Sequence, residues 1–199
     1  MPLDLVARRK WRGMRQSKKY YRIWTPASYV FLGYTNTEAC HDYGQCQRQL
    51  AYLQSRKGRL NYRSDIAYNF LISSEGVVYE ARGWKSRSCL PKRFTIPKRR
   101  RRRPESFNVR GYYIGYIGKY WNHPPSRRMK NALNEWLCFA VENEFITKKF
   151  TMFTINVHVD RLRREYHRLK GSHEPFLPMP DVLTNVRPRF QSLDKDVKS

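Results

Sequence analysis

Acidic residues are scarce in this chain: 16 Asp and Glu stand against 40 Lys and Arg among 199 residues, leaving a net charge of +24 at pH 7. Such an excess excludes a neutral surface and implies attraction to phosphates, acidic polymers or anionic membranes. No apolar run approaches the roughly 18 residues that a membrane-spanning helix needs. The opening residues, MPLDLVARRKWRG, lack the apolar core of a secretory signal, so neither an export signal nor an anchor is expected in the chain as written. No internal repeat is visible, which excludes a solenoid. The 5 histidines include no H-x-x-x-H pair, and no cysteine follows Cys138. Helical zinc-binding pairs are thereby excluded, and no Ser-His-Asp or Cys-His arrangement is visible. What is present is a hydrophobic share of 40% with 14 Tyr and 5 Trp, enough for one domain with a sizeable core.

The stretch from Asp65 to Trp84, DIAYNFLISSEGVVYEARGW, carries the clearest local pattern. Alternation places Ile66, Tyr68, Phe70 and Ile72 on one strand face and Ala67, Asn69, Leu71 and Ser73 on the other, both largely apolar, which predicts a central strand. Ser73 to Gly76 supply turn chemistry, and Val77, Val78 and Tyr79 open a second β-rich run. A hairpin is therefore expected. Upstream, Ser28 to Leu32 read as a short buried strand bounded by Pro26 and Gly33. Cys46, Leu50 and Leu53 recur at helical steps within 45–59, predicting an amphipathic helix that ends near Gly58.

Beyond the hairpin, Lys85 to Arg103 hold ten basic residues and no acid, and removing them still leaves +14 on the remainder. Six of them, Lys98, Arg99, Arg100, Arg101, Arg102 and Arg103, are consecutive and should be solvated, as mutually repelling charges are. Pro124-Pro125-Ser126 reads as a helix start with Ser126 as N-cap. Met129, Leu133, Trp136, Leu137, Ala140, Val141 and Phe145 give the strongest helical period in the chain. Residues 147–159 are strand-like in composition but receive no assignment. Alternating strands and helices predict an α/β fold, a mixed central sheet flanked by helices on both faces.

The order D-I-x-Y-N-F-L-I-x-x-x-G-x-V-Y-E-x-R-G-W resembles the central block of the peptidoglycan recognition proteins. These are similar to zinc-dependent amidases that cleave N-acetylmuramoyl-L-alanine bonds, typified by a bacteriophage lysozyme. Val6 to Gly13 are similar to the family's opening, with Trp11 at its buried Trp. Asn108 and Gly111 to Tyr120 resemble a family strand ending in G-x-Y, and Tyr166 to Gly171 resemble its Y-x-L-x-G strand. The resemblance implies a single amidase-like domain over 6–190, with an N-terminal tail at 1–5, a basic insertion at 85–106 and a disordered tail at 191–199. It also implies a disulfide between Cys40 and Cys46, and with it an oxidising compartment and an extracellular or ectodomain location. Two reduced thiols in an intracellular protein are the alternative. No pairing is assigned to Cys89 or Cys138.

The family's zinc ligands are a His at the end of the first core strand, a His after Y-x-L-x-G, and a Cys about eight residues later. Three protein ligands and an open position are what let zinc activate water and polarise a carbonyl. The matching positions here are Gly33, Ser172 and Met179. His173 lies one residue from the second position, and a lone imidazole holds no zinc. The expectation is therefore no metal, no cofactor and no amidase activity. Tyr68, Arg82 and Trp84 match family residues that lie in or near a peptidoglycan groove, where aromatic faces stack on sugars and cations meet peptide carboxylates. Lys85 and Ser86 replace the pair that helps select the stem peptide.

Two functions remain in view. One is a catalytically silent recognition protein of innate immunity, with peptidoglycan, muropeptides or other recognition proteins as partners. The other is a polyanion-binding module for nucleic acid, anionic glycan or lipid head groups, centred on Lys98 to Arg103.

Overall fold

The computed structural model describes residues 3–11, 13, 21–55, 65–89, 95–96, 105–106, 109–120 and 123–154. Its elements in chain order are β1 (Leu5–Val6), β2 (Ala27–Tyr34), α1 (Tyr43–Ser55), β3 (Phe70–Ile72), β4 (Val78–Glu80), β5 (Thr95–Ile96), β6 (Glu105–Ser106), β7 (Gly111–Tyr116), α2 (Arg127–Glu142) and β8 (Ile146–Thr154). Six strands form a mixed sheet in the order β1-β4-β3-β7-β2-β8, in which only the β3/β4 hairpin pairs antiparallel. β5 and β6 pair separately within the basic insertion.

β2 lies between β7 and β8, so both of its edges are hydrogen-bonded, and its apolar residues alternate between the two faces of the sheet. Val30, Leu32, Tyr34, Tyr112, Ile114, Tyr116, Phe70 and Ile72 form the core on one face, against α2. Phe31, Tyr113 and Leu71 point to the other face, where they meet Trp11, Cys46 and Leu50 of α1. Helices therefore cover both faces, as the α/β pattern implies.

Each helix starts at a side-chain cap. Ser126 Oγ accepts from the Met129 backbone N–H at 3.3 Å, as the sequence predicts for α2. In α1 the cap is Asp42: its carboxylate accepts from the Gln45 N–H at 2.7 Å, and Gln45 Oε1 reaches back to the His41 N–H at 3.0 Å. The helix thus begins two residues before the expected Gln45, and residues 56–60, where its end is expected, lie outside the described residues. α2 stops at Glu142, because Asn143 caps it and Glu144 takes φ +57°. Phe145, part of the helical series by spacing, instead folds back onto Trp84 with ring centroids 4.2 Å apart.

Three further expectations change. Leu5 belongs to a strand and not to a tail, since β1 pairs with β4 at Leu5↔Val78. Of the unassigned segment after α2, 147–154 belongs to β8, which runs parallel to β2 from Ala27↔Ile146 to Leu32↔Thr154, and 155–159 lie outside the described residues. Most important, the hairpin does not alternate from Ile66: Ile66 and Tyr68 lie in the cluster with Leu71, while Phe70 and Ile72 face α2. The alternation resets at Asn69. The hairpin turn itself is as expected, with Gly76 at φ +86°, a region that disfavours any side chain.

Candidate functional site

Asn69 explains the reset. It is fully buried in an apolar strand, and its side chain replaces a missing piece of sheet. Asn69 Oδ1 accepts from the Tyr113 N–H at 2.9 Å, while Nδ2 donates to the Gly83 and Ser86 carbonyls at 2.9 and 2.7 Å. Its own N–H donates to the Tyr113 carbonyl at 2.7 Å, and its carbonyl accepts from Ala81 and Gly83. One amide thereby ties β7 to the loop that carries Arg82, Trp84, Lys85 and Ser86.

The position expected to supply the first zinc ligand is Gly33, in register with Gly115 across β2 and β7. A β-carbon on Gly33 would stand 2.8 Å from Tyr113 Oη and 3.0 Å from its ring. A β-carbon on Gly115 would stand 2.5 Å from the Tyr68 ring. The two glycines leave the space that two tyrosines fill: the rings of Tyr68 and Tyr113 lie 4.2 Å apart, and Tyr68 OH donates to the Tyr34 carbonyl at 2.8 Å. Gly33 and Tyr68 thus both lie against Tyr113. Gly33 offers no side-chain donor atom, and a side chain there would meet Tyr113. Ser172 and Met179, the other two positions, lie outside the described residues, as do His173 and the Lys98 to Arg103 run. Among the described residues no three His, Cys, Asp or Glu side chains gather as a metal site would require.

The three groove candidates do not converge. Tyr68 belongs to the α1 face, whereas Trp84 packs on the α2 face, its ring 4.3 Å from Phe70 and stacked on Trp136 at 5.1 Å. Arg82 lies between them. Its Nε donates to the Ile66 carbonyl and its backbone N–H to the Tyr68 carbonyl, so this guanidinium holds two loops together. Ser86 is buried under a second chain segment, through an antiparallel bridge to Arg22, while Lys85 stays exposed. Of the two positions associated with stem-peptide selection, only Lys85 faces solvent.

Sequence reasoning misses Tyr113, Asn69 and the pair Arg8–Asp65. Arg8 reaches Asp65 at 2.7 Å with both side chains largely buried, and Gln54 of α1 donates to the same carboxylate at 3.1 Å. An amide in an otherwise apolar strand is the available signal for Asn69. Nothing in the spacing of Arg8 and Asp65, 57 residues apart, announces their contact. The Cys40–Cys46 disulfide is formed, with Cα atoms 5.0 Å apart. Burial pushes the Cys138 thiol up, with Glu142 adding to the effect.

Residues 24–169 match the family model for N-acetylmuramoyl-L-alanine amidase. The chain is similar to peptidoglycan-recognition protein 3 of Holotrichia diomphalia, at 28% identity over 149 residues, covering 74% of this chain and 72% of that protein. It is similar to peptidoglycan recognition protein 1 of Mus musculus, at 30% identity over 148 residues and 73% of each chain. Among solved structures it superposes on Drosophila peptidoglycan recognition protein SA with a TM-score of 0.66 at 25% identity, covering 77% of this chain and 80% of that one. With the mixed sheet, the two flanking helices and the disulfide already in place, the chain belongs to the N-acetylmuramoyl-L-alanine amidase family, as a peptidoglycan recognition protein domain.

Proposed function

We propose that this chain recognises bacterial peptidoglycan in innate immunity without cleaving it, either as a receptor domain or by regulating other recognition proteins. The observation that carries the silent half of this reading is Gly33 with the Tyr113 ring in its side-chain space. The resemblance places a zinc donor at this position, and a glycine with Tyr113 in its side-chain space supports the silent reading. The recognition half is supported by the relatives, whose names place peptidoglycan as their ligand. The disulfide supports an oxidising, extracellular setting. No helix among the described residues is long and apolar enough to cross a membrane.

Purified protein is incubated with zinc and muropeptides, and free stem peptide is measured by mass spectrometry alongside calorimetric binding. The expected result is saturable, stem-peptide-dependent binding with no release. Release of stem peptide sinks the silent reading. Binding that ignores muropeptide identity and falls with the logarithm of salt sinks the recognition reading in favour of plain polyanion attraction.

A further inference from the structure

We propose that the surface built from Tyr21, Arg22, Trp24, Lys85, Arg87 and Arg110 binds single-stranded nucleic acid. Tyr21 and Trp24 are 65% and 54% exposed, two large flat rings in a four-residue segment that pack against no core cluster. Each lies under a guanidinium: Arg87 Cζ is 5.5 Å from the Tyr21 ring centroid, and Arg110 Cζ is 5.3 Å from that of Trp24. A cation over one face leaves an aromatic-cation sandwich on which a further flat group can stack.

The surface is held in place before any ligand arrives. The Arg22↔Ser86 bridge fixes its centre, and Ile23 is buried beneath it. The Ile23 N–H donates to the Lys85 carbonyl at 3.1 Å, the Arg87 N–H to the Tyr21 carbonyl at 2.9 Å, and the Trp24 N–H to the Val109 carbonyl at 2.7 Å. Arg87 Nε adds a bond to the Arg22 carbonyl at 2.7 Å. Ordering such side chains in advance lowers the entropy lost on binding.

Charge points the same way. Residues 21–24, 85–89 and 109–110 contain no Asp or Glu, so the charge these three segments bring to the surface is wholly positive. Lipid head groups and acidic peptides match the charge but offer no flat face for Tyr21 and Trp24. Sulfated glycans can lay a sugar ring on an aromatic face, but a saturated ring gains less than a base does from the ring–guanidinium pairs at Tyr21 and Trp24. A single strand of nucleic acid alternates phosphate with exposed bases, the pairing that stacking platforms with interleaved cations recognise. A duplex hides its bases.

The test uses fluorescence anisotropy with a labelled oligodeoxyadenylate of about 12 nucleotides, within the usual site size, at two salt concentrations. Tyr21→Ala and Trp24→Ala are each expected to weaken binding by about ten-fold, with Trp24→Phe restoring most of it. Arg110→Gln is expected to lower the salt slope by about one without moving the thermal midpoint, a readout independent of how the ring variants fold. A duplex of the same length, heparin and phosphatidylserine vesicles are expected to bind more weakly and to ignore the ring substitutions. Unchanged affinity in both alanine variants overturns the proposal, and so does heparin or vesicle binding that depends equally on the rings. None of these substitutions touches Gly33, Tyr68 or Tyr113, so the outcome stands apart from the muropeptide reading.

Discussion

The two faces of the sheet are built by different physics. The face under α2 is an aromatic and aliphatic core in which the rings of Trp84, Trp136, Phe70 and Tyr112 pack with centroids 4.3 to 6.5 Å apart, mostly tilted or edge-on. The face under α1 is wired with polar groups. Tyr68 OH donates to the Tyr34 carbonyl, Arg8 and Asp65 form a buried pair shared with Gln54, and a disulfide fastens the helix start. The family's chemistry is expected on this second face, at Gly33 and Tyr68. It is the face where orientation matters more than bulk, and what its polar network orients in this chain is a pair of tyrosines, Tyr68 and Tyr113.

The comparison breaks first at Trp136. If the α2 face is stabilised by bulk, Trp136→Ala costs about 4 kcal/mol, as deletions of a fully buried indole do. Chemical denaturation reads this directly, and a loss under about 1 kcal/mol would mean that α2 repacks freely. On the α1 face the corresponding change is Arg8→Ala, which leaves the Asp65 carboxylate without its cation in a buried setting. The expected cost is about 3 kcal/mol. The double variant Arg8→Met with Asp65→Leu should recover much of that loss, whereas no second substitution on the α2 face should rescue Trp136→Ala short of refilling its volume.

The same contrast explains how much of the fold is legible in the sequence. The α2 face announces itself, because Met129, Leu133, Trp136, Leu137 and Ala140 repeat at the helical period, and β2 reads as an apolar run. Ser126 is legible as a cap for the same local reason. The α1 face is half legible. Family resemblance pairs Cys40 with Cys46 and marks Gly33 as a lost ligand, but the filling of that space by Tyr113 joins two separate strands, β2 and β7, and leaves no local trace. Asn69 misleads the strand reading, because its side-chain hydrogen bonds override the period-two pattern that its neighbours suggest. β8 escapes assignment because an exposed edge strand alternates weakly, and its burial is confined mainly to Ile146.

Alkaline titration sharpens the comparison through a smaller effect. On the α2 face, burial pushes Tyr112 and Tyr116 up, with Tyr120 adding to the second. On the α1 face, burial and then Tyr43, Asp4 and Asp42 push Tyr79 up to about 12. In the unfolded chain these phenols ionise near the usual 10.0, so the folded state holds the proton longer. Their contribution is complete below pH 10 and is lost as pH rises towards each folded value. Each group adds a slope of about 1.4 kcal/mol per pH unit in that interval. Stability measured by urea unfolding should fall from about pH 10 upward. Tyr112→Phe should flatten that fall while lowering stability at neutral pH by about 1 kcal/mol, because the bond from Tyr112 OH to the Trp84 carbonyl at 2.8 Å is lost. A fall that is unchanged in Tyr112→Phe would show that this phenol already reaches water.

A last test asks whether the α1 face needs its covalent link. Cys40 and Cys46 close a loop with a sequence separation of 6, and so short a loop restricts the unfolded chain by only about 2 kcal/mol. The Cys40→Ala, Cys46→Ala variant should therefore fold, with its chemical midpoint lowered and its cooperativity kept. More is at stake locally. Cys40 also accepts through its carbonyl from the Ser74 N–H at 3.2 Å, and Asp42 caps α1 two residues later, so the link sets the spacing between hairpin turn and helix start. If only chain entropy matters, amide exchange in 41–46 stays as protected as in the wild type once the global loss is subtracted. If the link positions the cap, those amides exchange faster than global unfolding allows, and the α1 face then depends on the disulfide for its geometry as well as its stability. The α2 face, whose Ser126 cap has no such link, should keep its protection in either case.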